Sequence, residues 1–172
     1  MVNNYLKVKF VSFDAIGEVP TNVDVVELII KKDKVNAFGS QKSIDDGIDK
    51  AFAKNETKLI LTHGEQRSFL VITPKLALET LRLAGASLFL ALQKEGTTAG
   101  IINGLAELSD KERYAFLEGL YLSSYDFNKY KKEKKTAITT LYIAAKDFST
   151  TQLVELQTLV EVVSLTKSLV NE

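Results

Sequence analysis

The sequence predicts an α/β fold, in which a sheet of strands is layered with helices. Through the second half of the chain, strand-like and helix-like patterns alternate, which is the order typical of α/β proteins. Several short segments are rich in β-branched residues or alternate polar and apolar side chains, as strands do. Two capping boxes, Ser-x-x-Glu and Ser-x-x-Gln, precede segments with helical spacing. No internal repeat or low-complexity segment divides the chain.

Composition bounds the class of protein. The 172 residues suit one domain with a sizeable core, and 45% hydrophobic with 26% charged residues is ordinary for a soluble globular protein. Lys+Arg and Asp+Glu are both 22, and this zero net charge argues against nucleic-acid binding. The absence of cysteine excludes disulfides, thiolate chemistry and cysteine-based zinc sites. Without a secretory signal or a long apolar span, a cytoplasmic location is expected.

The first half of the chain predicts four strands and a helix. Residues 5–13 alternate as a half-buried strand, and residues 23–32 form a second strand that is denser in β-branched residues. Residues 43–54 have helical spacing and begin with a possible cap at Ser43. Residues 58–74 indicate two strands joined by the turn His-Gly-Glu-Gln.

A strongly apolar helix is predicted over residues 74–94. Pro74 suits its first position, where the missing N–H costs nothing. Because apolar residues occur all round this helix, it is expected to be buried on every side. Gly96 is expected to end it.

Two strands and two helices complete the prediction. Residues 97–104 form a short apolar run that suits a buried strand, and residues 137–145 form another. Ser109 opens a capping box with Glu112, and Ser149 opens the second box before the final helix.

No catalytic, cofactor-binding or metal-binding residue is predicted. His63 is the only histidine, and its position in a predicted turn indicates a solvated polar residue. No cluster of His, Asp and Glu at ligand spacing accompanies it. The glycine-containing segments 37–43 and 96–104 match neither a P-loop nor a dinucleotide-binding fingerprint. Asp45 and Asp46 suit the positive end of a helix macrodipole.

Residues 118–135 admit two interpretations. Their first part continues the helix that begins after Ser109, and Gly119 together with Ser123 gives it a slim face that another element can approach closely. Aromatic residues then alternate with polar ones before a lysine-rich run at 129–135, a composition that suits single-stranded nucleic acid. The alternative is a solvated connector anchored by a packed Phe127. We favour the connector because the lysines lead straight into a buried strand.

The same stretch resembles a signature of the leucyl aminopeptidase (cytosol aminopeptidase) family, E-G-x-x-L-x-x-Y-R-F-D-x-Y-K. Asp126 and Asn128 depart from it. Residues 78–101 are similar to the family's helix with an L-R-x-A-G-A run, and residues 163–172 to its A-R-D-L-V-N helix, with Lys-Ser in place of Arg-Asp. The residues that match the first signature are Glu118, Gly119, Leu122, Tyr125, Phe127, Tyr130 and Lys131.

The resemblance implies a macro-domain-like fold, a mixed sheet with helices on both faces. It implies an N-terminal domain over residues 1–148 and a linker helix over 149–172 that leads toward a catalytic domain. The family's two divalent metals, zinc or manganese, belong to that catalytic domain, whose motif N-T-D-A-E-G-R-L does not occur here. This chain is therefore expected to be inactive alone and to serve assembly or regulation. Its implied partners are its own C-terminal catalytic domain and further copies in a hexamer.

Two alternatives stay open. The implied fold binds ADP-ribose in other families, so the chain could be a stand-alone nucleotide-binding module. Asp14 follows the first strand as such a site requires, but no convincing phosphate loop is present. A DNA-binding accessory domain is the other alternative, and it depends on the lysine-rich run at 129–135.

Overall fold

The computed structural model describes residues 9–12, 22–32, 42–64, 66–124, 140–143 and 149–170. A short 3₁₀ turn at Leu105–Glu107 follows the fifth strand. The longer elements, in chain order, are β1 (Lys9–Ser12), β2 (Asp24–Ile29), α1 (Lys42–Lys54), β3 (Lys58–His63), β4 (Arg67–Ile72), α2 (Leu78–Lys94), β5 (Ala99–Asn103), α3 (Asp110–Ser123), β6 (Thr140–Ile143) and α4 (Thr150–Val170). The predicted α/β fold is confirmed.

The described strands form one mixed sheet in the order β1-β6-β5-β2-β4-β3. All neighbouring pairs are parallel except β3 and β4, which form the antiparallel hairpin predicted from residues 58–74. Parallel neighbours require crossover connections, and helices lie between most of these strands in sequence. Strand β2, the fourth in this order, lies between β5 and β4 and is hydrogen-bonded to both.

Helices cover both faces of the sheet, as predicted. On one face, strand residues such as Leu28 and Phe69 pack with residues of α2, α3 and α4 into a first core. On the other face, Ile29 and Leu70 pack with Ile44 and other residues of α1 into a smaller second core. Because successive strand residues point to opposite faces, Leu28 and Ile29 enter different cores.

Helix α2 differs from its prediction in two ways. It begins at Leu78 rather than at Pro74, because the Ala77 backbone is extended, with ψ of 137°. It is also not buried on every side, since Leu83 and Leu90 are 60% and 59% exposed. The sheet and α3 cover one side of α2, and no described residue covers the side on which these two leucines lie.

The capping signals are largely confirmed. The Glu112 carboxylate accepts hydrogen bonds from the Ser109 N–H at 2.8 Å and from the Ser109 hydroxyl at 2.7 Å. The Ser149 hydroxyl accepts a bond from the N–H of Gln152 at 3.2 Å. Gly96 follows the end of α2 with φ of +69°, as expected for a residue that ends a helix. Ser43 is not the cap of α1, because the helix already includes Lys42.

The first half of α4 belongs to the body of the domain. Leu153, Leu156 and Val160 are buried in the first core together with sheet residues. The division of the chain at residue 149 stays a prediction. No helix in the described part of the chain is long and apolar enough to cross a membrane.

Candidate functional site

Helices α2 and α3 touch through their backbones at two glycines. A Cβ atom at Gly119 would lie 2.0 Å from the carbonyl oxygen of Arg82, and one at Gly85 would lie 2.1 Å from that of Phe116. Real Cβ atoms do not approach backbone atoms so closely, so each helix needs a glycine where the other one passes. The slim face predicted at Gly119 is confirmed.

An ion pair joins the same two helices beside the glycine contacts. The Arg82 Nε atom donates to Glu118 Oε2 at 2.6 Å, and Glu79 lies 3.5 Å from another guanidinium nitrogen. The hydrogen bond to Glu118, followed by the charge of that carboxylate, raises the pKa of Arg82. The Glu118 side chain is only 17% exposed. Arg82 and Gly85 belong to the L-R-x-A-G-A run, and Glu118 and Gly119 to the E-G-x-x-L signature. The two stretches that resemble the aminopeptidase family therefore contact one another.

The remaining signature residues divide between described and undescribed parts of the chain. Leu122 packs, partly buried, against the first core. Tyr125, Phe127, Tyr130 and Lys131 lie outside the described residues, as do Asp14 and the run at 129–135. The packing of Phe127 and the choice between connector and nucleic-acid strip stay predictions.

A polar cluster joins the first residues of neighbouring strands, at the edge of the sheet where the parallel strands begin. Arg67 donates to both carboxylate oxygens of Asp24, at 3.0 Å from Nε and 2.8 Å from a terminal nitrogen. The Thr97 hydroxyl donates to the same carboxylate at 2.6 Å, and Arg67 also donates to the backbone carbonyl of Glu95. This cluster ties β2, β4 and the turn before β5 together. Its donors and acceptors are engaged with one another, so it suits a structural clamp better than a reactive centre.

A second polar contact lies on the face of the sheet that carries the second core. The Asn103 side-chain amide on β5 donates to Glu27 Oε1 on β2 at 2.6 Å. Glu27 is partly buried, and this burial raises the pKa of its carboxyl, an effect that the Asn103 hydrogen bond opposes in part. Neither residue carries a signal of its own in the sequence, since the segment around Glu27 indicates only an apolar strand.

Replacing Glu27 with glutamine should increase stability near neutral pH. The pKa of Glu27 is raised in the folded state, so the folded wild type is more stable when this carboxyl is protonated. Its free energy of unfolding therefore falls as the pH rises through that pKa. Glutamine stays neutral and still offers a carbonyl oxygen to Asn103. Urea denaturation should show a gain for Glu27→Gln at about pH 7 that shrinks toward about pH 4.

The exposed Glu56 offers a matched control for this experiment. Glu56→Gln should change the free energy of unfolding little at either pH. An advantage of Glu27→Gln that is equal at both pH values would contradict the burial argument.

The described residues contain no group of three or more His, Cys, Asp or Glu side chains that could hold a metal ion. His63 ends β3, where it is exposed and pairs in register with Arg67. The solvated role predicted for this histidine is consistent with that position.

Comparisons with known proteins reveal a structural likeness. No family model and no curated protein sequence matches the chain. Among solved structures, a lysine-to-glutamate mutant of tomato leucine aminopeptidase superposes with a TM-score of 0.61 at 15% sequence identity. The match covers 95% of this chain but only 37% of that one, so the chain spans little more than a third of its neighbour's length. At this identity, the likeness shows that the chain shares its fold with part of a leucine aminopeptidase.

Proposed function

We propose that this chain is a non-catalytic N-terminal domain of a leucyl aminopeptidase, a metallo-exopeptidase that removes N-terminal residues from peptides. The observation that carries the proposal is the contact between α2 and α3. Two stretches that resemble the family and lie more than 30 residues apart meet there. They are joined by the ion pair between Arg82 and Glu118 and by the close backbone approaches at Gly85 and at Gly119. The resemblance thus extends to residues that depend on one another in the fold.

The structural likeness supports the same proposal. The matched part accounts for 37% of the tomato chain, and the rest of that chain leaves room for a separate catalytic unit. In this proposal the two metals, zinc or manganese, are bound by the catalytic unit. The domain contributes to assembly or regulation of a cytoplasmic hexamer, and its nearest partner is its own C-terminal catalytic domain.

The 172-residue chain should not hydrolyse peptides by itself. The measurement is release of chromophore from an aminoacyl chromogenic substrate with added manganese or zinc, with a complete leucine aminopeptidase as the positive control. Metal-dependent turnover well above a blank without protein would contradict the proposal.

The reading frame provides an independent check, because it should continue into a segment like N-T-D-A-E-G-R-L. A stop codon directly after Glu172 would also contradict it.

A ligand titration separates this proposal from the nucleotide-binding alternative. Calorimetry with ADP-ribose should give weak binding or none, because the sequence offers no phosphate-cradling loop. A dissociation constant at or below about 1 μM would favour a stand-alone binding module instead.

A further inference from the structure

The dipeptide Asn103-Gly104 lies where β5 ends and the short 3₁₀ turn begins. It is the one place in the sequence where asparagine precedes glycine. Because glycine has no Cβ atom, its backbone nitrogen can approach the preceding side chain more closely than that of any other residue. Of the asparagines in this chain, Asn103 is therefore the most open to attack by the backbone nitrogen that follows it.

We propose that Asn103 is a site of spontaneous deamidation that the folded sheet protects. In this reaction the Gly104 backbone nitrogen attacks the side-chain carbonyl carbon of Asn103, and a cyclic imide forms. The bond from that carbon to Nδ2 breaks, and Nδ2 leaves as ammonia with the proton of the Gly104 N–H. Water then opens the imide ring and leaves either aspartate or isoaspartate.

Two contacts hold the reacting groups in place in the folded protein. The Asn103 Nδ2 atom donates to Glu27 Oε1 at 2.6 Å, so ring closure has to break this hydrogen bond. The Gly104 backbone, with φ of +87°, lies against β2, where a Cβ atom would be 2.4 Å from the Leu28 carbonyl oxygen. Since the Gly104 nitrogen and the Asn103 side chain must turn toward each other to react, deamidation should require local opening of the sheet.

Deamidation would leave two carboxylates where the wild type has a hydrogen bond. Glu27 and Asn103 are in register on β2 and β5, and an aspartate side chain has no N–H to donate. On its other side Glu27 is in register with Leu70, which is fully buried and solvates no charge. Like charges directly opposite one another destabilise a sheet. A molecule that has opened and reacted should therefore refold to a less stable state.

This inference goes beyond the proposed function and does not depend on it. It concerns the contact between β2 and β5, so its failure would leave the α2–α3 contact and the resemblance to aminopeptidases unaffected.

Mass spectrometry of the 172-residue chain tests the protection. The protein is incubated at mildly alkaline pH, with and without enough urea to unfold it, and is then digested with trypsin. Conversion of the amide to an acid in residues 95–111 should be at least about tenfold faster in urea, because reaction in native buffer is limited to the open fraction of molecules. Equal rates with and without urea, or no reaction at Asn103 in urea, would overturn the proposal.

The peptide of residues 55–58 is the matched control in the same digest. It contains Asn55, which is exposed in the folded protein but precedes Glu56 rather than glycine. This asparagine should react slowly in both conditions. A reaction at Asn55 as fast as that at Asn103 in urea would contradict the role given to Gly104.

Asn103→Asp encodes one product of the reaction and tests its consequence. Its thermal midpoint at neutral pH should lie about 4–8 °C below that of the wild type, because like charges replace a hydrogen bond. Adding Glu27→Gln should raise this midpoint by more than it raises that of the wild type, since the glutamine amide can donate to the new carboxylate. Asn103→Asp with wild-type stability, or a gain from Glu27→Gln that is no larger in this background, would overturn the proposal. If Asn103→Asp does not fold, the measurements on the wild type still decide it.

Discussion

Replacing Gly119 with alanine is expected to lower the free energy of unfolding by about 3 kcal/mol, at the upper end of overpacking effects. The new methyl group would lie 2.0 Å from the Arg82 oxygen and 2.6 Å from its carbonyl carbon, both of which are backbone atoms of α2. Backbone in the middle of a packed helix cannot move aside alone, so α2 and α3 must separate. Thermal unfolding followed by circular dichroism should show a midpoint lowered by about 6–12 °C.

Gly47→Ala is the matched control for this change. Gly47 is also a helical glycine, and a Cβ atom there would lie 2.7 Å from the Cδ1 atom of Ile60, the tip of a flexible side chain. That side chain can adjust, and alanine favours a helix over glycine by about 1 kcal/mol. Gly47→Ala should therefore change stability by less than about 1 kcal/mol. If the two substitutions lower the free energy of unfolding equally, the backbones of α2 and α3 do not approach each other as closely as described.

Removing the Arg67 side chain should have the next largest effect, a loss of about 2–3 kcal/mol, somewhat less than for a fully buried pair. Asp24 is only 12% exposed, and in Arg67→Ala its carboxylate would keep Thr97 as a donor but lose its charged partner. Urea denaturation at neutral pH measures the loss. Adding Asp24→Asn to Arg67→Ala should recover part of it, because the uncompensated charge is then gone.

A surface ion pair provides the comparison for Arg67. Lys32 and Asp49 lie 2.9 Å apart, but both side chains are more than half exposed. Lys32→Ala should cost less than about 1 kcal/mol, because exposed pairs contribute little. An Arg67→Ala protein as stable as Lys32→Ala would show that the Asp24 cluster is not a clamp.

The local features of the fold were predictable from sequence. The hairpin of β3 and β4, the box at Ser109 and the strand at 97–104 each depend on residues a few positions apart, and each is confirmed. The start of α2 was not predicted correctly, because Pro74 can follow a strand as readily as it can begin a helix. The exposure of Leu83 and Leu90 was missed because the hydrophobicity of a helix does not reveal how many of its sides are covered.

The polar contacts of the fold were not predictable in this way. Arg67 and Asp24 are separated by 43 residues, and Thr97 and Asp24 by 73. Their meeting is set by the strand order, which brings β2, β4 and β5 side by side, and no local pattern encodes that order. Gly119 was predicted only in part. The sequence indicated a slim helix face, but only the fold shows that the backbone of Arg82 lies against it.

The strand order also has a consequence for how the chain is made. The edge strand β1 pairs only with β6 among the described strands, and Lys9 is in register with Thr140. These partners are 140 − 9 = 131 positions apart in the sequence. At a synthesis rate of about 5–20 residues per second, β6 is therefore made roughly 7–26 s after β1. The hairpin of β3 and β4 and the parallel pairs of β2 with β4 and β5 can form within that interval, because all their residues are already present. One side of the sheet can thus assemble on the nascent chain, whereas the opposite edge closes only when nearly the whole domain has left the ribosome.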